Sequence, residues 1–359
     1  MLIVIKKWRQ NSMSEKYYVE RKDNITLRLR DLKKDLPYFC SEFFMGIENK
    51  TTPLTRINYA YDLRIFFDFL TKEIDKFAGK KVGQISLIDL NDVTASDLEL
   101  FGDYLTVYTF KGQTYHNDES AKARKLSTLR SFFKYFFKKE KIQNNISTKV
   151  DLPKMHQKEI VRLENDEMRG LLDQVETAYA LSPTQQAFHR HTNARDFALV
   201  SLLLGTGIRV SECVGLDVDD IDFNINGFKV IRKGGNQVVL YFSDEVANSL
   251  KKYLDERAKI KDLDINERAL FLSLQKTRLS TRAVQNLVKK YSSVVTPLKK
   301  ISPHKLRSTY GTNLYRETKD IYIVADVLGH KDVNTTKRHY AAISDDIRRE
   351  AANKVKLRK

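Results

Sequence analysis

Two cysteines, Cys40 and Cys213, are all that 359 residues contain, and they form neither a disulfide framework nor a metal-binding spacing. That scarcity suits a reducing compartment, so a cytoplasmic location is expected. Long apolar runs are missing as well. None approaches the roughly 20 residues of a spanning helix, which makes a membrane the weaker partner. Acid is in deficit: Asp+Glu 46 stand against Lys+Arg 63, a formal charge of +17, with a pI near 9.5. Such a balance favours a polyanion, either nucleic acid or an anionic surface. Met1–Ser12 places apolar residues before basic ones, the reverse of a secretory signal. We expect it to be peripheral, with Met13 as a second possible start.

What is present is length enough for two cores. Asn24–Phe44 carries Leu29, Leu32 and Leu36 at helical spacing, with Pro37 as the interruption. Thr51-Thr52-Pro53 opens a second helix whose stripe of Tyr59, Leu63, Phe66 and Leu70 leaves Arg56 and Arg64 outside. Asn91–Tyr108 reads as a third helix, opened by Thr94 with Asp97 three residues later. Ala121–Lys141 sets Leu126, Leu129, Phe133 and Phe136 on one face, while eight Lys or Arg against the single Glu140 fill the rest. Alone this is a solvated basic helix. In so basic a chain it reads as a phosphate-tracking surface, with Arg56, Arg64, Lys122, Arg124, Lys125, Arg130 and Lys134 as candidate DNA contacts. Asn144–Glu159 has no stripe and holds Pro153 among polar residues, as a linker does. The expected division is a peripheral segment over 1–20, a helical domain over 21–145, a linker over 146–160 and a second domain over 161–359.

In that second domain, Asn165–Tyr179 resumes helical periodicity, and Leu181–Asn193 is a polar loop or short extra helix. His189 and His191 have no Cys or carboxylate cluster beside them, so a metal is not expected there. Asp196–Gly205 is an apolar helix ended by the turn Gly205-Thr206-Gly207, after which come Arg209 and Glu212. Arg209 is either a structural arginine paired with Glu212 or a phosphate clamp held by it; a glycine turn that admits a ligand to the backbone leans to the second. Gly227–Phe242 reads as a β-hairpin around Lys233-Gly234-Gly235-Asn236. A tip lysine is a solvated charge or one delivered into a groove. Ser243–Lys261 and Thr281–Ser293 are further amphipathic helices.

The densest chemistry lies between Ser302 and Tyr340. If His304–Thr312 is helical, His304 and Arg307 share a face and can reach one anion. A guanidinium grips phosphate oxygens bidentately. His330 follows, and Tyr340 offers a phenol that becomes a nucleophile when its proton is removed and the attacked centre is stabilised. Together these make a candidate site for phosphoryl transfer through tyrosine.

In order, TRINYAYDLRIFFDF, KLSTLRSFFKYF, GTGIRVSE, the lysine hairpin, HKLR, LGH and the late tyrosine resemble the tyrosine recombinase family, also called the phage integrase family. Each motif is weak alone, whereas the ordered set is specific and spans most of the chain. The resemblance implies a mainly α two-domain clamp, made of a helical SAM-like core-binding domain and an α+β catalytic domain with a small antiparallel sheet. It implies site-specific DNA cleavage and rejoining through a 3′-phosphotyrosyl link. Arg209 and Arg307 would clamp the scissile phosphate, His304 and His330 would assist, Lys233 would protonate the leaving 5′ oxygen, and Tyr340 would attack. Glu212 would hold Arg209. Because one phosphodiester is exchanged for another, no ATP or metal cofactor is called for.

Within the family the chain is most similar to Xer-type recombinases, especially the single-recombinase kind of streptococci, which resolve chromosome dimers. An integrase of a phage or conjugative element is the runner-up, ahead of a non-catalytic DNA-binding protein or a type IB topoisomerase. The implied partners are double-stranded DNA with an inverted-repeat site and three further copies of the chain, assembled as a homotetramer on two duplexes. The tail after Tyr340 would be exchanged between neighbours, and there is room for an accessory or cell-division protein. Two departures stand out. Tyr340 follows His330 by ten residues where most relatives have nine, and Arg232 precedes Lys233 where many have glycine, so Arg232 could claim the lysine's role.

Overall fold

The computed structural model describes residues 13–154, 161–232, 235–329 and 333. Met1–Ser12 lies outside them. The chain divides into two compact units, one being Tyr18–Lys158 and the other Glu159–Lys359 with the residues up to Tyr17. The architecture is mainly helical with two small antiparallel sheets.

After α1 (Met13–Lys33), the first unit consists of α2 (Cys40–Gly46), α3 (Pro53–Glu73), α4 (Ala95–Tyr104), β1 (Val107–Phe110), β2 (Gln113–His116) and α5 (Glu119–Lys138). Local chemistry sets the boundaries. Thr52 accepts the Thr55 N–H at 3.2 Å, and Pro53 fills the first position of α3, where a missing N–H costs nothing. Thr94 and Asp97 cap each other's N–H groups at 2.8 and 3.2 Å. Phe43, Phe66, Phe67, Phe101, Phe132, Phe133 and Phe136 are buried together. Their edge-on contacts, such as Phe66–Phe101 at 5.3 Å, bind α3 to α4, and others bind α3 to α5.

Two expectations need correction here. The third helix stops at Tyr104, and Tyr108 lies in β1, paired with Tyr115 of β2. Lys111 (φ 50°) and Gly112 (φ 78°) supply the two left-handed residues of a tight hairpin turn. Arg56 and Arg64 do not lie outside the apolar face of α3; both are buried. Neighbouring segments enclose that helix on more sides than its stripe suggests. Arg56 pairs with Glu48 at 2.9 Å, and Arg64 pairs with Asp35 while its guanidinium lies over the Phe110 ring.

The second unit contains α6 (Asn165–Thr177), α7 (Pro183–His189), α8 (Asn193–Thr206), α9 (Val210–Cys213), β3 (Ile221–Asp222), β4 (Gly227–Ile231), β5 (Gln237–Tyr241), α10 (Asp244–Ala258), α11 (Thr281–Val295), α12 (Pro303–Thr318) and α13 (Ile321–Leu328). Nearly every side of α8 is apolar because it is the central helix, packed on α6, α10 and α12. Asp196 near its start is buried but accepts from Tyr291 at 2.8 Å, Thr192 at 3.1 Å and Arg195 at 2.6 Å. The sheet runs β3-β4-β5, all antiparallel, with Phe228 opposite Leu240. Strand β3 was not foreseen, since two residues carry no alternation. His189 is buried with Nε2 2.8 Å from the Val175 carbonyl, while His191 is exposed.

Candidate active site

Helix α8 ends at Gly207, which has φ +60° and caps the helix through a bond from its N–H to the Leu203 carbonyl. A Cβ there would lie 2.4 Å from the Tyr310 ring of α12. The neighbour that glycine admits to this turn is therefore an aromatic side chain. The reversal places Arg209 at the entrance of α9. Its main-chain N–H donates to Glu212 Oε2 at 3.1 Å, and its Nη1 donates to Glu212 Oε1 at 2.8 Å. Glu212 is buried, so its charge is committed to Arg209, whose side chain remains about one-third exposed.

From α12, Arg307 arrives buried. Its guanidinium donates to the Gly207 and Leu328 carbonyls. Arg209 Nη2 donates to the next carbonyl, Gly329, at 3.0 Å. A third guanidinium, Arg232 directly after β4, donates to the Asp326 and Val327 carbonyls at 3.1 and 2.6 Å. Four successive carbonyls at the end of α13 thus receive three arginines from three different elements. The last carbonyls of a helix lack intrahelical donors and carry the negative end of its dipole, which makes them suitable anchors for cations. Gly329, with φ +60°, closes the helix.

His304 lies in the first turn of α12, exposed and three residues before Arg307, so the helix expected there is present. Lys233, His330 and Tyr340 fall outside the described residues, as do Gly234, the ten-residue spacing and the C-terminal tail. The site geometry available is therefore that of Arg209, Glu212, Arg232, His304 and Arg307. Among the described residues, no three His, Cys, Asp or Glu side chains gather as a metal site.

The basic residues of α5 differ widely in environment. Lys134 is exposed. Arg124 is half exposed, and its Nη1 donates to the buried Asp62 carboxylate at 2.5 Å, which Thr128 also reaches at 2.8 Å. Burial pushes the Asp62 carboxyl pKa up, with Arg124 opposing. Lys122 pairs with Glu119 at 3.3 Å, and Arg130 donates to the Val150 carbonyl at 2.6 Å. Lys125 is buried with Nζ on Asn117 Oδ1 at 2.8 Å, and burial lowers its pKa. This corrects the expectation that it belongs to the outer basic face.

The phage integrase family matches residues 162–346, more than half of the chain. Tyrosine recombinase XerC of Caldanaerobacter subterraneus subsp. tengcongensis is 34% identical over 311 residues, covering 84% of this chain and 82% of that one. The chain belongs to the phage integrase family and is a tyrosine recombinase, an enzyme that breaks and rejoins DNA. Its likeness is to the Xer type: tyrosine recombinase XerS of Streptococcus pyogenes serotype M5 is 28% identical over 353 residues, 91% of this chain and 98% of the relative. Two solved structures share the fold. One is XerH site-specific recombinase bound to palindromic difH substrate, with TM-score 0.61 and 19% identity over 84% of this chain and 80% of that one. The other is a lambda integrase dimer bound to a COC′ core site, with TM-score 0.58 and 17% identity over 83% and 95%. Among the described residues no helix is long and apolar enough to cross a membrane.

Proposed function

We propose that this enzyme is an Xer-type site-specific recombinase that resolves chromosome dimers at an inverted-repeat DNA site. The observation that carries the reading is the convergence of Arg209 and Arg307, from two helices, on one helix end. Two fixed guanidiniums side by side suit the non-bridging oxygens of a single phosphate, whose negative charge grows as a nucleophile attacks. Tyr340 attacks the phosphorus, and the bond from phosphorus to the 5′ oxygen breaks. Lys233 gives that oxygen its proton, while His304 and His330 hydrogen-bond the phosphate and assist the tyrosine proton. The product is a 3′-phosphotyrosyl link and a free 5′ hydroxyl. Rejoining reverses these steps with a 5′ hydroxyl from the other duplex.

Two duplexes exchange two strands each, so four copies of the chain act together, passing their C-terminal tails around a ring. The helical domain over 21–145 tracks the phosphate backbone, with Arg124 and Lys134 on its exposed side. Similarity to XerS over nearly its whole length supports the chromosomal role and a cytoplasmic location. The test is to recover the bound DNA site from cells. A short inverted repeat near the replication terminus is the expected result. A site at the boundary of a mobile element would make the protein an element integrase instead.

A further inference from the structure

Arg232 is the third arginine at the end of α13, and the two-arginine phosphate clamp does not account for it. Both of its terminal nitrogens are taken up by main-chain carbonyls, at 3.1 Å on Asp326 and 2.6 Å on Val327. Its Nε is buried with no hydrogen-bond partner among the described residues. Its guanidinium is thereby anchored at the end of α13. The contact is also a close fit. A Cβ on Gly329 would lie 2.1 Å from Arg232 Nη1, so a glycine at 329 is needed for this guanidinium as well as for the left-handed turn. Arg232 comes directly after β4 and is followed by Lys233, while Gly329 is followed directly by His330. Holding the ends of β4 and α13 together therefore fixes the attachment points of two side chains that the reaction uses. The carbonyls of Val327 and Gly329, bonded to Arg232 and Arg209, also tie the hairpin to the phosphate clamp.

We propose that Arg232 is a positioning residue for leaving-group protonation: by tying the β4–β5 hairpin to the end of α13, it sets Lys233 at the 5′ oxygen. This rests on the reading of Lys233 as the general acid. That reading has its own control. Replacing the 5′ bridging oxygen by sulfur gives a leaving thiolate, which departs without a proton because thiols are far more acidic than alcohols. Single-turnover cleavage is measured on matched suicide duplexes with oxygen or sulfur at that position, for the wild type, Lys233→Ala, Arg232→Gln and Arg232→Lys. General acids contribute roughly 10²–10⁴-fold. Lys233→Ala should lose that factor on oxygen and regain it on sulfur; failure to regain it overturns the acid reading, and with it the proposal. Arg232→Gln should lose about tenfold or more on oxygen, within that general-acid range, and recover on sulfur, with Arg232→Lys between it and the wild type. Equal losses on both substrates would make Arg232 a phosphate contact or a folding residue, and no loss would make it idle. Either outcome overturns the proposal while leaving the Lys233 control intact. Arg232→Lys keeps the charge, so the comparison survives if Arg232→Gln does not fold.

Discussion

Arg307 of α12 and Arg209 at the entrance of α9 donate to consecutive carbonyls, those of Leu328 and Gly329. The two differ in surroundings. Arg307 is buried and also serves the Gly207 carbonyl, whereas Arg209 is partly exposed and is held by Glu212. Arg307→Ala leaves buried acceptors without donors, at about 1–3 kcal/mol for each. It should therefore lower the melting temperature as well as stop cleavage. Arg209→Ala strands the buried Glu212 carboxylate, so it should also lower the melting temperature, and adding Glu212→Gln should recover that loss without restoring cleavage. Differential scanning fluorimetry beside a suicide-substrate assay checks this, and a double variant no more stable than Arg209→Ala would contradict the pairing.

Gly207→Ala should be severely destabilising. A left-handed conformation costs a residue with a Cβ about 1–2 kcal/mol, and here the added carbon would also meet the Tyr310 ring at 2.4 Å. Because the Gly207 carbonyl is an acceptor for Arg307, the loss in cleavage should exceed what the unfolded fraction explains. Urea unfolding with activity measured in parallel checks this.

The basic residues of the first unit should divide by environment. Lys134→Gln should weaken binding to any DNA sequence and reduce the slope of log K against log salt by roughly one contact. Arg56→Gln removes a buried partner of Glu48 and should lower stability while leaving the salt slope unchanged. Titrations at several salt concentrations decide between them, and a changed slope for Arg56→Gln would place that residue on DNA after all.

Asp220 gives a pH dependence. Burial lifts its carboxyl from 3.8 to about 6, with the hydrogen bond from the Asp217 N–H opposing. Between about pH 4 and 6 the folded state holds a proton that the unfolded chain has released, so this group's contribution to stability falls as pH rises through that window. Two units correspond to roughly 2–3 kcal/mol. Asp220→Asn cannot ionise, and its amide oxygen can still accept from Asp217. The variant should gain stability relative to wild type from pH 4 to 7 and level off above; a constant offset would contradict the assignment.

Much of this was legible because its causes are local. The caps at Thr52 and Thr94, the apolar α8, the β4–β5 hairpin and the first turn of α12 each follow from residues within a few positions of one another. What was not legible depends on distant partners. Arg232 bonds carbonyls more than ninety residues away, and a main-chain acceptor leaves no mark in the sequence. Arg56 and Lys125 are buried because other segments close over them, which a single helical stripe cannot report. The β1 strand was missed because four residues are too few for periodicity, although Lys111-Gly112 is a recognisable turn signal.

The central claim is covalent chemistry at Tyr340, and one measurement tests it most directly. Purified protein is incubated with a suicide duplex carrying its site, labelled in the cleaved strand on the 5′ side of the scissile phosphate, and resolved under denaturing conditions. The account predicts a protein–DNA adduct with the DNA joined through its 3′ phosphate to the peptide containing Tyr340, formed by the wild type and absent from Tyr340→Phe. An undiminished adduct with Tyr340→Phe, or one mapped to another residue, would contradict it.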